Sequence, residues 1–401
     1  MNTPLPLLRN LSLVEISFYG IGTILGAGIY VLLGAVVAES GQMTPWAFLL
    51  AALVVGFSAY SYAQMARRFP RSAGEAVYIQ EGLKCRPLAT LAGYAISLGG
   101  IVSAATMARG FNGYFSVLSS TPNWLTASLL VCALTAIAVW GVKQSVTLAI
   151  LTTLLEIAGL LLAIAVSGDE IGSLGIDWSG LLPPLTLPTF SAIASGAFLA
   201  FFAFIGFEDM VNMAEEVEQP ERNLPWGIAI AVTVTTLLYG LIAIVALETL
   251  PMTALATSEA PLALLIEHNS SLPMSYMALI SMVAIVNGAL IQIVMVSRVL
   301  FGMARRQLAP GFLGRVHHRT RTPLPATLLA GTLVLGFALW LPVTTLAATT
   351  STLILLVFTL VNLALLFLNY RERKWGAMQI GMPVMGALLC SGFLVIRVWS
   401  Q

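Results

Sequence analysis

The sequence predicts an all-α protein that crosses a membrane about eleven times. Three observations carry that prediction. Of 401 residues, 58% are hydrophobic and only 9% are charged, against roughly 25% charged in soluble domains, and the mean hydropathy is +0.91. Apolar windows of about 20 residues, the length that crosses roughly 30 Å of hydrocarbon, recur along the whole chain. Two of these windows, the first and the sixth, are interrupted by glycine-rich stretches.

The windows run from about Leu13 to Ala38, Trp46 to Ala66, Leu88 to Leu118, Leu125 to Trp140, Ser145 to Ser167, Phe190 to Met213, Trp226 to Leu247, Met274 to Ala304, Ala326 to Leu341, Thr344 to Asn369 and Met378 to Trp399. The third and eighth exceed the minimum, which implies tilt or extension beyond the bilayer. Nearly all of the 19 prolines fall at span ends or in loops, where a residue without an N–H belongs. The first span is too long and too glycine-broken for a cleaved signal and is expected to remain in the mature protein.

Charge fixes the expected orientation, because retained Lys and Arg mark the cytoplasmic side. With the N-terminus inside, cytoplasmic segments hold 16 of the 19 basic residues: Arg9; Arg67, Arg68, Arg71, Lys84 and Arg86; Lys143; Arg222; Arg305, Arg306, Arg315, Arg319 and Arg321; Arg371, Arg373 and Lys374. Arg397, near the C-terminal end, then lies outside, and Arg109 and Arg298 sit within or at the ends of spans. A net charge of +1, dispersed over loops, excludes a nucleic-acid-binding face. Cys85, Cys132 and Cys390 are far apart and form no CxxC pair, so neither a disulfide nor a metal is expected, and no cofactor is implied.

The two interruptions are Gly20-Ile21-Gly22-Thr23-Ile24-Leu25-Gly26-Ala27-Gly28-Ile29-Tyr30 and Phe201-Phe202-Ala203-Phe204-Ile205-Gly206-Phe207-Glu208. A membrane helix bonds its polar backbone internally, so a break is tolerated only around something polar. Two broken spans in corresponding positions point to a secondary transporter that holds its substrate near the midplane. They place inverted repeats at spans one to five, about 8–167, and six to ten, about 188–370, with an additional helix at about 378–399, all in a single domain over 1–401.

The stretches GIGTILGAGIY, RRFPRSAGEAVYIQ, GVKQS, FFAFIGFEDMVNMAEEVEQPERNLPWGI and SRVLFGMARRQLAPGFLGRVHHRTRTPLPA resemble the amino acid-polyamine-organocation transporters, bacterial amino acid permeases in particular, from about residue 8 to 370. The span-six stretch, with Pro220 and Pro225, is the most specific. The resemblance implies a LeuT-like core of five plus five spans, in the inner membrane of the cell. Members usually have twelve spans, one more than the eleven counted here.

An amino acid presents a carboxylate and an ammonium, and two broken helices supply groups for both. At Gly26-Ala27-Gly28 the second half-helix of span one starts with unpaired amides and the positive end of its dipole, which suits the carboxylate. Carbonyls around Phe202, Ala203 and Ile205 are expected to accept from the ammonium. By the resemblance, Ile24, Gly26, Ala27, Gly28, Phe202, Ala203 and Ile205 bind substrate, and Phe202 is its aromatic lid. An alternative is that the glycines serve helix packing and the phenylalanines face lipid.

Glu156, inside LTTLLEIAGLLL of span five, is the proton-coupling candidate, since an ionised carboxylate there costs about 2.5–3.5 kcal/mol. By the resemblance it stands where sodium-independent members carry lysine. A permanently protonated Glu156 bonded to a carbonyl is the competing reading. Glu208 matches the family's acidic position and is expected to cap broken-helix amides or hold a gate. Glu215, Glu216 and Glu218 are consistent with an inner gate, Arg109 with a structural pair, and His317 and His318 with a solvated loop.

These features favour proton-coupled symport or exchange of a neutral amino acid by alternating access, in a monomer or homodimer. The lining of the breaks by Phe, Ile, Ala and Gly favours a neutral side chain; the contributions of spans three, eight and ten are not legible. An exchanger of amino acids, polyamines or other amines is kept open by Glu156 and Glu208, and a membrane-embedded amino acid sensor by the binding site alone. An enzyme is disfavoured, since neither HExxH nor GxSxG occurs.

Overall fold

A computed structural model of the chain describes residues 11–26, 28–70, 74–140, 146–168, 183–184, 186–214 and 216–399. Among them the chain is helical apart from short connections and an isolated parallel bridge between Leu11 and Val217.

The first span is two 13-residue helices, α1 (Leu13–Leu25) and α2 (Gly28–Ser40). A capping box starts α1: the Glu15 N–H donates to Ser12 Oγ at 3.4 Å and the Ser12 N–H donates to Glu15 Oε2 at 2.8 Å. The helix stops at Gly26, whose N–H donates to Gly22 O at 2.9 Å. Ala27 and the GVKQS stretch lie outside the described residues.

One 3-10 turn joins α2 to α3 (Thr44–Arg68). Then come α4 (Gly74–Leu83), α5 (Arg86–Ser116), α6 (Asn123–Trp140), α7 (Val146–Val166) and α8 (Leu187–Ala200). After the second break follow α9 (Asp209–Asn212), α10 (Pro220–Thr249), α11 (Met252–Thr257), α12 (Pro261–Asn269), α13 (Met274–Arg305), α14 (Leu324–Trp340), α15 (Val343–Arg371) and α16 (Ala377–Trp399). Prolines open the first turns of α3, α5, α8, α10, α12 and α14, where the missing N–H costs nothing. Pro225 and Pro383 sit inside helices, the exceptions to the punctuation the sequence predicts.

Nine stretches among the described residues are long and apolar enough to cross a membrane. The eleven windows of the sequence differ from these through two local features. Residues 28–68 run on as one apolar stretch of 41 residues, and Leu13–Leu25 and Leu324–Trp340 are shorter apolar helices. Trp140 and Trp340, both highly exposed, terminate α6 and α14, the depth at which aromatic rings anchor at a membrane interface.

Small residues set the packing. α5 lies against α13 where Gly100 admits Val296; a Cβ on Gly100 would meet Val296 Cγ2 at 2.6 Å. α1 packs on α7 and α10, and α8 on α2 and α3. The last long helix, α16, is tied in by a buried polar chain. Asn362 on α15 accepts from Ser61 Oγ at 2.6 Å and donates to Ser58 Oγ at 3.0 Å, and Ser58 Oγ lies 3.4 Å from Cys390 Sγ on α16.

α4 crosses nothing; the sequence leaves its residues in a loop. Its final carbonyls, from Glu81 and Gly82, each accept from Arg371 Nη2 at 2.7 Å, which satisfies a helix end that has no internal donors. Arg68 pairs with Asn369 at 2.6 Å and Glu372 at 3.7 Å on the same side. The Arg371 bonds tie the end of α4 to α15, and the start of α4 lies against α9 beside the second break.

Candidate functional site

Both breaks are real, and they touch. After α8, residues Phe201–Phe204 form a 3-10 turn, Ile205 is extended, and Gly206 has φ +133°, a conformation only glycine adopts without strain. A Cβ on Gly206 would lie 2.5 Å from Thr23 O, and one on Gly28 would lie 2.6 Å from Ala203 Cβ and 2.9 Å from Ala203 O. Thr23 Oγ1 donates across the gap to Gly206 O at 3.0 Å. The interruptions therefore face each other inside the bundle rather than lipid.

Tyr239 on α10 binds the two together, its hydroxyl 2.9 Å from both Ile24 O and Ala203 O. Its ring packs on Phe204 and Phe48. The carbonyls expected to await an ammonium are thus partly occupied: Ala203 O faces Tyr239, and Phe202 O accepts from the Ile205 N–H at 3.2 Å. The helix before the second break ends at Ala200, because the chain tightens into a 3-10 turn before the glycine. Tyr239→Phe removes the one O–H that the buried Ile24 and Ala203 carbonyls share and is expected to destabilise the fold by about 1–2 kcal/mol, read as a lower melting temperature in detergent; an unchanged melting temperature refutes this role.

Glu156 is fully buried on α7, and neither carboxyl oxygen has a hydrogen-bond partner. Asn287 on α13 is a polar neighbour outside bonding geometry. The main chain of Glu156 is fixed to the first break, its carbonyl accepting from Tyr30 Oη at 3.0 Å, while Tyr114 Oη donates to Tyr30 O at 2.6 Å. Glu208 accepts from the Gly206 N–H at 2.8 Å, so it caps an amide that the break leaves open.

A cavity of about 460 Å³ runs from Leu308 and Arg306, at the end of α13, past Arg298 and Glu216 to Asp209 beside the second break. It is the size of a small-ligand site. A small, more enclosed pocket continues from it, lined by Glu75, Glu208, Asp209, Asn212, Tyr62, Ser103, Gln292 and Ile205, among others. Of the expected substrate residues, only Ile205 lines either cavity; Ile24, Gly28 and Ala203 are buried where the breaks meet, Phe202 is buried beside them, and Gly26 packs against Gly288 of α13.

Glu75, in the first turn of α4, lines both cavities, and its Oε1 accepts from Tyr62 Oη at 3.4 Å. Burial, against weaker help from hydrogen bonds, pushes its carboxyl up to about 7. Sequence reasoning missed Glu75 and Tyr239. A tyrosine within an apolar span was the available signal, since a buried phenol needs a partner. Arg109 is half-buried in α5, Glu216 lines the wider cavity, Glu218 is exposed, and Glu215 lies outside the described residues. The rings of His317 and His318 pack against each other, tilted, with centroids 4.9 Å apart in the loop after α13.

The amino acid permease family model matches residues 11–400. A vacuolar cationic amino acid transporter 4 of Arabidopsis thaliana is 29% identical over 390 residues, covering 92% of this chain and 64% of that one. The branched-chain amino acid permease of Bacillus subtilis (strain 168) is 28% identical, covering 91% of this chain and 82% of that one. The methylthioribose transporter of the same organism is 28% identical, covering 97% and 88%. The chain spans about three fifths of the length of the plant relatives it matches. With its long apolar helices and a match over nearly its full length, this multi-pass membrane protein belongs to the amino acid permease family.

Proposed function

We propose that this protein is a secondary carrier of amino acids rather than an enzyme, working by alternating access across the cell membrane. The observation that carries the reading is the direct apposition of two broken spans, with Gly28 against Ala203 and Gly206 against Thr23, beside a cavity of about 460 Å³ that reaches Asp209 next to the second break. In this reading the amides that open α2 hold the substrate carboxylate. The ammonium displaces Tyr239 from Ile24 O and Ala203 O. Ile24, Gly26, Ala27, Gly28, Phe202, Ala203 and Ile205 form the main-chain seat, and Phe202 closes over it. In this reading ten spans form two inverted repeats, α16 is the eleventh, and with the N-terminus in the cytoplasm the open cavity faces the cytoplasmic side.

Coupling to protons rests on Glu156, a buried acid with no hydrogen-bond partner beside the first break. Glu156→Gln is expected to remove the pH dependence of uptake while substrate still binds; a variant that keeps the wild-type pH profile excludes the proton role. The breaks alone favour a neutral side chain, and the branched-chain permease is a relative of that kind.

Purified protein screened against amino acids and amines should show a melting temperature raised by its ligand. The best ligand then enters proteoliposome flux with and without an imposed pH gradient. Binding without flux favours a sensor; flux of amines lacking a carboxylate favours an amine exchanger.

A further inference from the structure

One cluster of positive charge, where α13 turns into α14, has no counter-charge. Residues 305–325 hold Arg305, Arg306, Arg315, Arg319 and Arg321 and no Asp or Glu. All five arginines are exposed, and none forms an ion pair among the described residues. The loop is nonetheless folded. Its 3-10 turn, Gly311–Gly314, buries Leu313. The His317 N–H donates to Thr322 O at 2.9 Å and the Arg321 N–H to His317 O at 3.0 Å, which closes a tight turn around Arg319. Thr322 Oγ1 donates to Val139 O at 2.9 Å and fastens that turn to the end of α6. Like charges gathered on a folded loop repel one another unless an anion sits among them.

The depth of the cluster is set by α6 and α14. The two helices run antiparallel, with Thr135 beside Gly331 and Val139 bonded to Thr322. The 17 residues of α14 span about 25 Å, near the thickness of a hydrocarbon layer. They run from this turn to the highly exposed Trp340, and the equally exposed Trp140 ends α6 beside the turn. Exposed Leu328 and Leu329 follow within about 6–8 Å of the start of α14. Phe312 and Val316, each 49% exposed, flank Arg315. The arginines therefore stand at the boundary between lipid chains and water, with apolar side chains below and beside them. A soluble anion would meet the charge and leave those apolar side chains wet. A phospholipid of net negative charge matches both.

We propose that Arg315, Arg319 and Arg321 hold the phosphate of an anionic phospholipid whose chains lie along α6 and α14. Guanidinium groups grip phosphate oxygens two at a time, which fixes the headgroup as well as attracting it. Phe312 and Val316 pack beside that headgroup. The site depends on where the loop meets the membrane, and on neither the substrate nor the coupling ion of the carrier.

Native mass spectrometry of the purified protein in detergent, with equal amounts of phosphatidylglycerol and phosphatidylcholine, provides the test. Phosphatidylglycerol is expected to occupy the native protein at least about fivefold more, the worth of a single arginine at an anionic surface. Replacing Arg315, Arg319 and Arg321 together by Gln should bring that ratio to about one, and Arg319→Gln alone should lower it at least about twofold. Replacing Arg67, Arg222 and Arg373, exposed arginines elsewhere, by Gln removes the same charge and should leave the preference in place.

Equal occupancy by the two lipids in the native protein overturns the proposal, as do loop variants that keep the native ratio. An equal loss in the variant with the three arginines changed elsewhere reduces the binding to bulk charge and overturns it too. So does displacement of phosphatidylglycerol by inorganic phosphate, the behaviour of a site for a free anion.

Discussion

Gly28→Ala is expected to abolish transport and to lower the melting temperature. The added methyl would lie 2.6 Å from Ala203 Cβ and 2.9 Å from Ala203 O, well inside van der Waals contact. Most of what it meets is the backbone of the second break, which has little freedom to move aside, with Thr23 and Tyr239 both bonded into the same junction. Overpacking of this kind costs about 1–3 kcal/mol in ordinary cores. Here the cost falls on the register between the two breaks, so flux should drop more than stability. Gly240→Ala on α10 is the control, because a methyl there meets nothing within 4 Å. Retention of full counterflow activity by Gly28→Ala would show that the close approach of the breaks is dispensable.

The second large effect is on stability against pH. Glu75 holds its proton up to about pH 7 in the folded protein, whereas an unfolded glutamate releases it near 4.3. Its protonated form therefore supports the fold fully below that lower value, and the support is lost as pH rises through about 7. Above that, burying the charged carboxylate costs about 4 kcal/mol relative to a neutral side chain of the same shape. Glu75→Gln keeps an acceptor for Tyr62 and removes the charge. It should melt like the native protein near pH 4.5 and several degrees higher at pH 8. A variant less stable than the native protein at pH 8, or a difference that does not vary with pH, contradicts the assignment.

The interruptions were legible because their cause is local: Gly206 needs a positive φ that its own residue type announces, and four glycines in one span weaken it wherever they point. The partner of each break was not local. Tyr239 reaches Ile24 and Ala203 from a helix that reads as an unremarkable apolar span, so the occupied carbonyls were invisible in sequence. Glu75 was missed for a related reason. Ten residues of α4 are too few to register as a span, and their contact with Asp209 joins segments far apart in the chain. Glu156 stood out from its composition alone, since an acid amid LTTLLEIAGLLL has no apolar explanation.

The parallel bridge between Leu11 and Val217 consists of two main-chain hydrogen bonds, Leu11 N–H to Glu216 O at 3.0 Å and Glu218 N–H to Leu11 O at 2.8 Å. It staples the run-in to α1 onto the chain just past α9. The half of span one below its interruption and the half of span six below its own are thus yoked. Under the alternating-access reading proposed above, a pivot at either glycine would drag both as one lever, tying the two pivots to a single stroke.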